Sequence, residues 1–214
     1  AACEVEVSRV FQGRALLVRP GLIVGPGDRT GRFSHWPWRT MAGGEMLVPD
    51  LPAGEPLQFI DVRDLGEWLV HLLEQQARGA FNATGPVTEP AAGAGPPAPA
   101  CDWPTLLRAC LQEARLRTAT PAQPVLVSED FLAAQQVAPW SELPLWLPSA
   151  DAQFAGFHRV ALDRAAAAGL RTRPLHETIA AVLDEGLPPD DDPRRAGKLT
   201  REREAQLLAR WRAQ

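Results

Sequence analysis

The sequence lacks tyrosine, has a single lysine among its 214 residues and contains three cysteines. Cys3, Cys101 and Cys110 are too few and too irregularly spaced for a disulfide framework or a zinc site, so free thiols in a reducing compartment are expected. No apolar run approaches the ~20 residues that a membrane helix needs, and no basic-then-apolar leader opens the chain. These absences predict a cytoplasmic protein with no membrane partner.

Catalytic motifs and an excess of positive charge are missing as well. The formal net charge is -4 and the arginines are scattered, which argues against nucleic acid as a partner. Neither a G-x-S-x-G motif nor a glycine-rich loop after a first strand occurs. The histidines lie far apart without metal-ligand spacing; they are His35, His71, His158 and His176. The residues themselves therefore predict neither a metal site nor a catalytic set.

The most informative stretch is residues 14–28, RALLVRPGLIVGPGD. Two short apolar runs separated by Pro20-Gly21 indicate a strand that is buried on both faces of a parallel sheet. Ligands of such sheets bind at the carboxyl ends of the strands, which places residues 20–25 at the lip of a crevice. A plain turn is the alternative interpretation, since glycine permits both a turn and the close approach of a ligand.

The neighbouring segments alternate between helix and strand. Residues 1–11 carry a helical apolar stripe, and residues 57–60 and 80–84 have the composition of short strands. Between those strands Asp61 is a good N-cap for an amphipathic helix whose apolar face is predicted to include Val62, Leu65, Leu69, Leu72 and Leu73. Strand, helix and strand in this spacing predict a parallel pair joined by a right-handed crossover.

Residues 28–44 mix arginines with tryptophans, which suits a polar or anionic ligand, although each tryptophan alone is better explained as a cap on the core. Residues 46–56 are predicted to be a turn-rich connection. Residues 87–100 are rich in proline, alanine and glycine, and we expect an extended surface loop there.

The remaining segments predict further helices and one strand. N-caps are expected at Asp102, Ser128 and Thr200, and the last of these begins a helix suited to docking. Residues 139–148 hold two tryptophans between prolines and are expected to drape over the core or to roof a pocket. A strand is predicted at residues 124–127, and helices are predicted at residues 162–168 and 175–183.

Four segments together resemble the C-terminal half of extended short-chain dehydrogenases/reductases, the NAD-dependent epimerase/dehydratase family. They are RALLVRPGLIVGPGD, PLQFIDVRDLGEWLVHLLE, GAFNATGP and ALDRAAAAGLRTRPLHETIAAVLDE, in that order along the chain. The resemblance implies an α/β fold: the C-terminal part of a Rossmann-like parallel sheet with a smaller mixed α/β substrate-binding lobe. It also implies NAD or NADP as the cofactor, with the glycine-rich loop and the Tyr-x-x-x-Lys pair lying upstream of Ala1.

The resemblance further assigns residues to the cofactor and to the substrate. Pro20, Gly21, Leu22 and Ile23 would wall the nicotinamide end of the cofactor site. Leu57 stands where nucleotide-sugar epimerases have a diphosphate-binding arginine, so a different small-molecule substrate is expected, unless Arg32 or Arg63 replaces that arginine. The residues expected to face the substrate are Asp28, Arg32, His35, Trp36, Arg63 and Trp146.

These expectations assign the parts of the chain to domains and predict the function of the complete protein. Residues 1–86 are assigned to the Rossmann-like core, with residues 28–56 as a substrate-loop insertion. The C-terminal substrate-binding lobe covers residues 101–187, followed by an acidic linker at 188–199 and a terminal helix at 200–214. The complete protein would transfer hydride at a carbinol or carbonyl carbon, and the 214 residues alone are predicted to be inactive. A non-catalytic ligand- or protein-binding module of the same origin is the alternative, and a homodimer is left open.

Overall fold

Six strands and eight helices make up the described part of the chain, residues 2–87 and 101–214 of this computed structural model. The strands are β1 (Leu16–Pro20), β2 (Leu22–Val24), β3 (Glu45–Pro49), β4 (Phe59–Asp61), β5 (Gly79–Ala83) and β6 (Gln123–Val127). The helices are α1 (Ala2–Phe11), α2 (His35–Met41), α3 (Val62–Glu74), α4 (Trp103–Arg115), α5 (Glu129–Ala134), α6 (Asp163–Ala167), α7 (Leu175–Asp184) and α8 (Arg201–Arg212). This mixture confirms the predicted α/β class. The surface loop predicted for residues 87–100 lies almost wholly outside the described residues.

The four N-caps predicted from the sequence are all present in the structure. Asp61 accepts a hydrogen bond from the backbone N–H of the second residue after it, and Asp102, Ser128 and Thr200 each accept one from the third residue after them. Each cap satisfies a backbone donor that has no partner inside the helix. These helix starts are encoded locally, which is why sequence alone locates them.

The strands form three parallel pairs, β1 with β5, β2 with β4 and β3 with β6. The chain changes partner at Gly21, whose N–H donates to the Ala83 carbonyl oxygen at 3.0 Å just before β2 begins. The predicted pairing of the two strands around α3 is therefore wrong in detail. β4 and β5 do not form a ladder with each other. Each of them pairs, in parallel, with a strand of residues 16–24.

Residues 28–56 contain a helix and a strand that the sequence does not reveal. α2 carries Pro37 between two tryptophans, and β3 pairs with β6, which is distant in sequence. The prediction of a turn-rich connection is wrong for residues 46–49, because Met46, Leu47 and Val48 are all buried in the core. Their strand conformation depends on a partner that no local pattern identifies.

The buried side chains form two clusters of unequal size. The larger lies among α2, β3, α4, α7 and α8, and it receives Leu207 and Leu208 from the helix predicted to dock. The smaller lies between α3 and β5. Two residues of the predicted apolar face of α3 are exposed, Val62 by 39% and Leu73 by 68%, and Trp68 is buried instead.

The region around β1 and α1 is only partly covered. Leu16, Leu17 and Val18 are half-buried, so the prediction of a strand buried on both faces is wrong for this structure. Helix α1 has no buried residue, and Val10 and Phe11 are exposed. In the described ranges, no helix has both the length and the apolar character needed to cross a bilayer.

Candidate ligand-binding site

An exposed apolar lip lies where β1 ends and β2 begins. Pro20, Gly21 and Ile23 are exposed, with Ile23 39% accessible, while Leu22 is half-buried. Thr84 packs under this lip, and a Cβ atom added at Gly21 would lie only 2.5 Å from the Thr84 Oγ1 atom. Glycine is therefore required here by packing. The lip is a small exposed surface that includes the apolar side chains of Pro20 and Ile23.

A cavity of about 240 Å³, which we call the roofed cavity, is positioned near the lip by strand register. Leu22 lies opposite Phe59 in the parallel ladder, so the residues just before β4 are at the same end of the pair as Gly21. One of these residues, Leu57, is 3% exposed and lines the cavity. The other lining residues are Leu51, Pro52, Glu55, Pro56, Trp103, Leu145, Leu147, Pro148, Ser149, Asp151, Phe154, Ala155, His158 and Arg159.

The roof of this cavity comes from the proline-bounded segment at residues 139–148. Leu145, Leu147 and Pro148 line the cavity, as expected for a segment that cannot form a regular helix. Trp146 points elsewhere and is buried. The roof is therefore made of aliphatic side chains and not of the tryptophan that the sequence emphasises.

His158 supplies a polar group in the wall of the roofed cavity. Its Nδ1 atom accepts a hydrogen bond from the backbone N–H of Gln58 at 3.1 Å, which assigns the ring proton to Nε2. That Nε2 atom is buried and has no hydrogen-bond partner among residues 2–87 and 101–214. Burial lowers the pKa of His158 to about 4, so the ring is neutral at pH 7. An unused donor of this kind suits a carbonyl or hydroxyl oxygen of a ligand.

Arg159 and Glu55, two of the charged residues that line the roofed cavity, are paired with each other. Arg159 donates to the Glu55 carboxylate at 2.6 Å, and both side chains are about half exposed, at 54% and 53%. Because this guanidinium is already engaged and Leu57 is apolar, no free arginine clamp for a diphosphate is present among the described lining residues. The arrangement favours a small ligand of little charge.

Three predicted substrate residues lie in or next to the loop after β2. Asp28 accepts hydrogen bonds from the backbone N–H and the hydroxyl of Thr30, both at 2.8 Å. The guanidinium of Arg32 lies 5.8 Å from the centre of the Trp140 ring, which in turn packs against residues 157 and 158 beside the roofed cavity. His35 lines a different cavity, between α2 and the start of α8.

The structure places the other predicted substrate residues away from the lip. Trp36 and Trp146 are each 1% exposed, and their indole N–H groups donate to the Pro144 carbonyl and to the Glu129 carboxylate. Arg63 follows β4 and therefore lies at the opposite end of the β2–β4 pair from Gly21. These three side chains stabilise the fold where they lie.

Arg63 belongs to a buried polar network centred on Asp61, which is 3% exposed. The Asp61 carboxylate accepts from the Arg63 guanidinium at 2.7 Å and from the Thr178 hydroxyl at 2.7 Å. Burial opposes ionisation, but these hydrogen bonds prevail and lower the pKa of Asp61. A carboxylate with this many donors is already satisfied, which fits a structural role.

Sequence reasoning missed His158 because nothing in its irregular segment marks it. Its importance depends on a backbone N–H a hundred residues earlier and on a cavity formed by distant loops. Within the described ranges, no group of three or more His, Cys, Asp or Glu side chains is arranged to hold a metal ion. No family model, curated protein or solved structure matches this chain.

Proposed function

We propose that this chain is the substrate-binding half of an NAD(P)-dependent oxidoreductase or epimerase-like protein. The observation that supports the proposal is the exposed apolar lip at residues 20–23, which lies at the same end of the β2–β4 pair as Leu57, a lining residue of the roofed cavity that also contains the His158 donor. Parallel α/β sheets bind ligands at the carboxyl ends of their strands, and Gly21 directly follows the carboxyl end of β1.

The proposal assigns the partly covered flank to a Rossmann-like sheet. β1 pairs with β5 on one side and has no ladder partner on its other side within residues 2–87 and 101–214. Helix α1, which precedes β1 in the chain, exposes the apolar side chains of Val5, Val10 and Phe11. A dinucleotide-binding half that adds a parallel strand beside β1 and covers these side chains would complete the sheet and supply the glycine-rich loop and the Tyr-x-x-x-Lys pair.

In this arrangement the residues of this chain bind and orient the cofactor and the substrate. Pro20, Gly21, Leu22 and Ile23 wall the nicotinamide, which supplies hydride chemistry when it is bound. The N–H of His158 donates to the substrate oxygen, and Leu57 contributes an apolar wall. The substrate class is therefore a small carbonyl or carbinol compound without a diphosphate.

Substrate binding is testable on the 214-residue chain with cyclohexanone as a small carbonyl probe. We expect saturable binding in ligand-observed NMR, and we expect its loss in His158→Leu because the buried donor is removed. The exposed His176 provides the matched control, and His176→Leu should bind the probe normally. Binding that survives in a folded His158→Leu protein would remove His158 from the site.

Catalysis is tested by NAD(P)H oxidation and by the coding DNA upstream of Ala1. We expect no turnover by the 214 residues alone, so measurable oxidation by them would contradict the proposal. An in-frame Gly-x-x-Gly-x-x-Gly loop and a Tyr-x-x-x-Lys pair support the enzyme, whereas a coding sequence without them supports a non-catalytic binding module.

The lip is tested in the longer protein with Ile23→Asp, since a carboxylate beside the nicotinamide ring disrupts apolar packing. We expect kcat/KM for NAD(P)H to fall at least about tenfold, as burial of a side chain of this size is worth roughly 1.5 kcal/mol or more. Leu116→Asp is the control, because Leu116 is 77% exposed and lies at the end of α4. An equal loss in both variants would show that the effect is not specific to the lip.

A further inference from the structure

A second cavity, of about 350 Å³, lies between α2 and the segment that leads into α8. We call it the C-terminal cavity. None of the lip residues at 20–23 lines it, so it is separate from the site proposed above. Its lining residues are His35, Trp38, Arg39, Ala42, Asp190, Arg195, Lys198, Leu199, Thr200, Arg201 and Glu202.

Cations outnumber carboxylates in this wall. Arg39, Arg195, Lys198 and Arg201 face two lining carboxylates, those of Asp190 and Glu202. The charge of Arg39 is already neutralised, because Arg39 forms an ion pair at 2.8 Å with the buried Glu204, which does not line the cavity. After that pair is set aside, a positive excess of one charge remains.

The excess is carried by the only lysine of the chain. The ammonium group of Lys198 donates to the Thr30 carbonyl oxygen at 2.8 Å, which is a neutral acceptor, and it forms no ion pair within residues 2–87 and 101–214. Burial and the neighbouring Arg32 lower its pKa, while Asp28 raises it. A partly desolvated ammonium without a carboxylate partner favours an anion from solution.

Two further donors in the wall are also unused. Trp38 is 4% exposed, and its indole N–H is buried without a hydrogen-bond partner in the described part of the chain. Arg195 uses one terminal nitrogen for Asp190 at 3.0 Å, while its Nε–H is buried and equally unpartnered. Buried donors are almost always satisfied in native proteins, and these two N–H groups belong to residues that line one cationic cavity.

The rest of the wall favours an organic anion. His35 contributes a neutral aromatic ring, because burial and the charges of Lys198, Arg39 and Arg195 lower its pKa to about 3. The Trp38 ring adds a second aromatic surface, which Arg194 covers at 5.1 Å from the ring centre. A cavity of this volume is large enough for a small organic molecule as well as for an inorganic ion.

We propose that the C-terminal cavity binds the carboxylate or phosphate group of a small organic anion, with Lys198, the Trp38 indole N–H and the Arg195 Nε–H as its donors. The site does not depend on a cofactor or on the proposed oxidoreductase activity. It can therefore serve as a second ligand site in either an enzyme or a binding module.

Titration of the 15N-labelled chain with phenyl phosphate, benzoate and benzyl alcohol at constant ionic strength tests the proposal. The indole N–H resonance of Trp38, assigned by its loss in Trp38→Phe, should shift saturably with at least one of the two anions. The anion that binds more tightly identifies the oxyanion group. No saturable shift with either anion, or equal binding of benzyl alcohol, would overturn the proposal.

Variants then separate site binding from general charge effects. Lys198→Gln and Arg195→Gln should each weaken binding about tenfold, the usual worth of one charge-assisted hydrogen bond. Arg210→Gln is the matched control, since Arg210 is an exposed arginine of α8 that does not line the cavity. Unchanged affinity in folded Lys198→Gln and Arg195→Gln proteins would also overturn the assignment.

Discussion

Two strands of similar composition, β1 and β3, have different environments. Each pairs in parallel with a single strand of the described chain, and each has an apolar run of three residues. Residues 46–48 of β3 are at most 2% exposed, whereas residues 16–18 of β1 remain half-buried. α8 packs on β3, while α1 contributes no buried side chain near β1.

The difference teaches that the layer packed on a strand, and not the sequence of the strand, decides its burial. The large cluster around β3 joins 26 buried hydrophobic side chains, and the small cluster around α3 and β5 joins eight, both among the described residues. We therefore expect the large cluster to provide most of the stability and the β1 flank to provide a surface for association.

The largest effect is expected from Arg39→Ala in α2, a helix of the large cluster. This change removes the closest cation from the buried Glu204 carboxylate, which keeps only the Arg201 guanidinium at 3.6 Å and the Leu47 N–H at 2.9 Å, and breaking a buried pair typically costs about 3–5 kcal/mol. The free energy of unfolding in urea measures the loss. The double variant Arg39→Met/Glu204→Leu removes both charges and should recover most of it; a double variant as unstable as Arg39→Ala would show that packing, not the charge, causes the loss.

A core truncation in the large cluster can be compared with the truncation of an exposed leucine on α3. Leu106→Ala in the large cluster should cost about 2–5 kcal/mol, since Leu106 is fully buried and the change leaves a cavity. Leu73→Ala on α3 should change stability by less than about 0.5 kcal/mol, because Leu73 is 68% exposed. Similar values for the two changes in chemical unfolding would show that burial in the large cluster does not determine the cost of truncation.

Lowering the pH from 6.5 toward 4 should reduce the free energy of unfolding, because a buried histidine must take up a proton when the protein unfolds. His158 has a pKa of about 4 in the folded chain and about 6.5 when unfolded, so only the unfolded state binds this proton between those values. Stability should therefore fall by roughly 2 to 3 kcal/mol as the pH drops from 6.5 to 4, and His35 acts in the same direction.

Variants identify the histidine responsible for this loss. His158→Gln should make the unfolding free energy depend less steeply on pH, because it removes one of the two histidines that take up a proton on unfolding, while His35 remains. His176→Gln, at an exposed position, should leave the dependence unchanged. The same slope in wild type and in His158→Gln would contradict the assigned role of His158.

The smallest effect on stability is expected at the flank. Val5→Lys and Phe11→Lys replace exposed apolar side chains on α1, so the free energy of unfolding should change by less than about 0.5 kcal/mol. The same changes should reduce self-association in light scattering, because they interrupt the apolar surface. A cooperative loss of structure would show that α1 is covered in solution.

Much of the fold follows from short-range chemistry, whereas the sites do not. The helices begun by Asp61, Asp102, Ser128 and Thr200 are predictable because a cap and the amide that it satisfies are at most three residues apart. The segment after β2, which the sequence predicts to bind a ligand, leads to His35, and this residue lines the C-terminal cavity. The group of the roofed cavity that matters most, His158, was not predicted.

The sequence by itself determined the α/β class, the helix starts, and the turn at Pro20-Gly21 that separates two short strands. Only the tertiary structure decided which strands pair, that β3 exists, and that Lys198 and Trp38 line one cavity. The physical reason is range: caps and turns satisfy their own neighbours along the chain, whereas cavities and ladders are made by residues that meet only after the chain has folded.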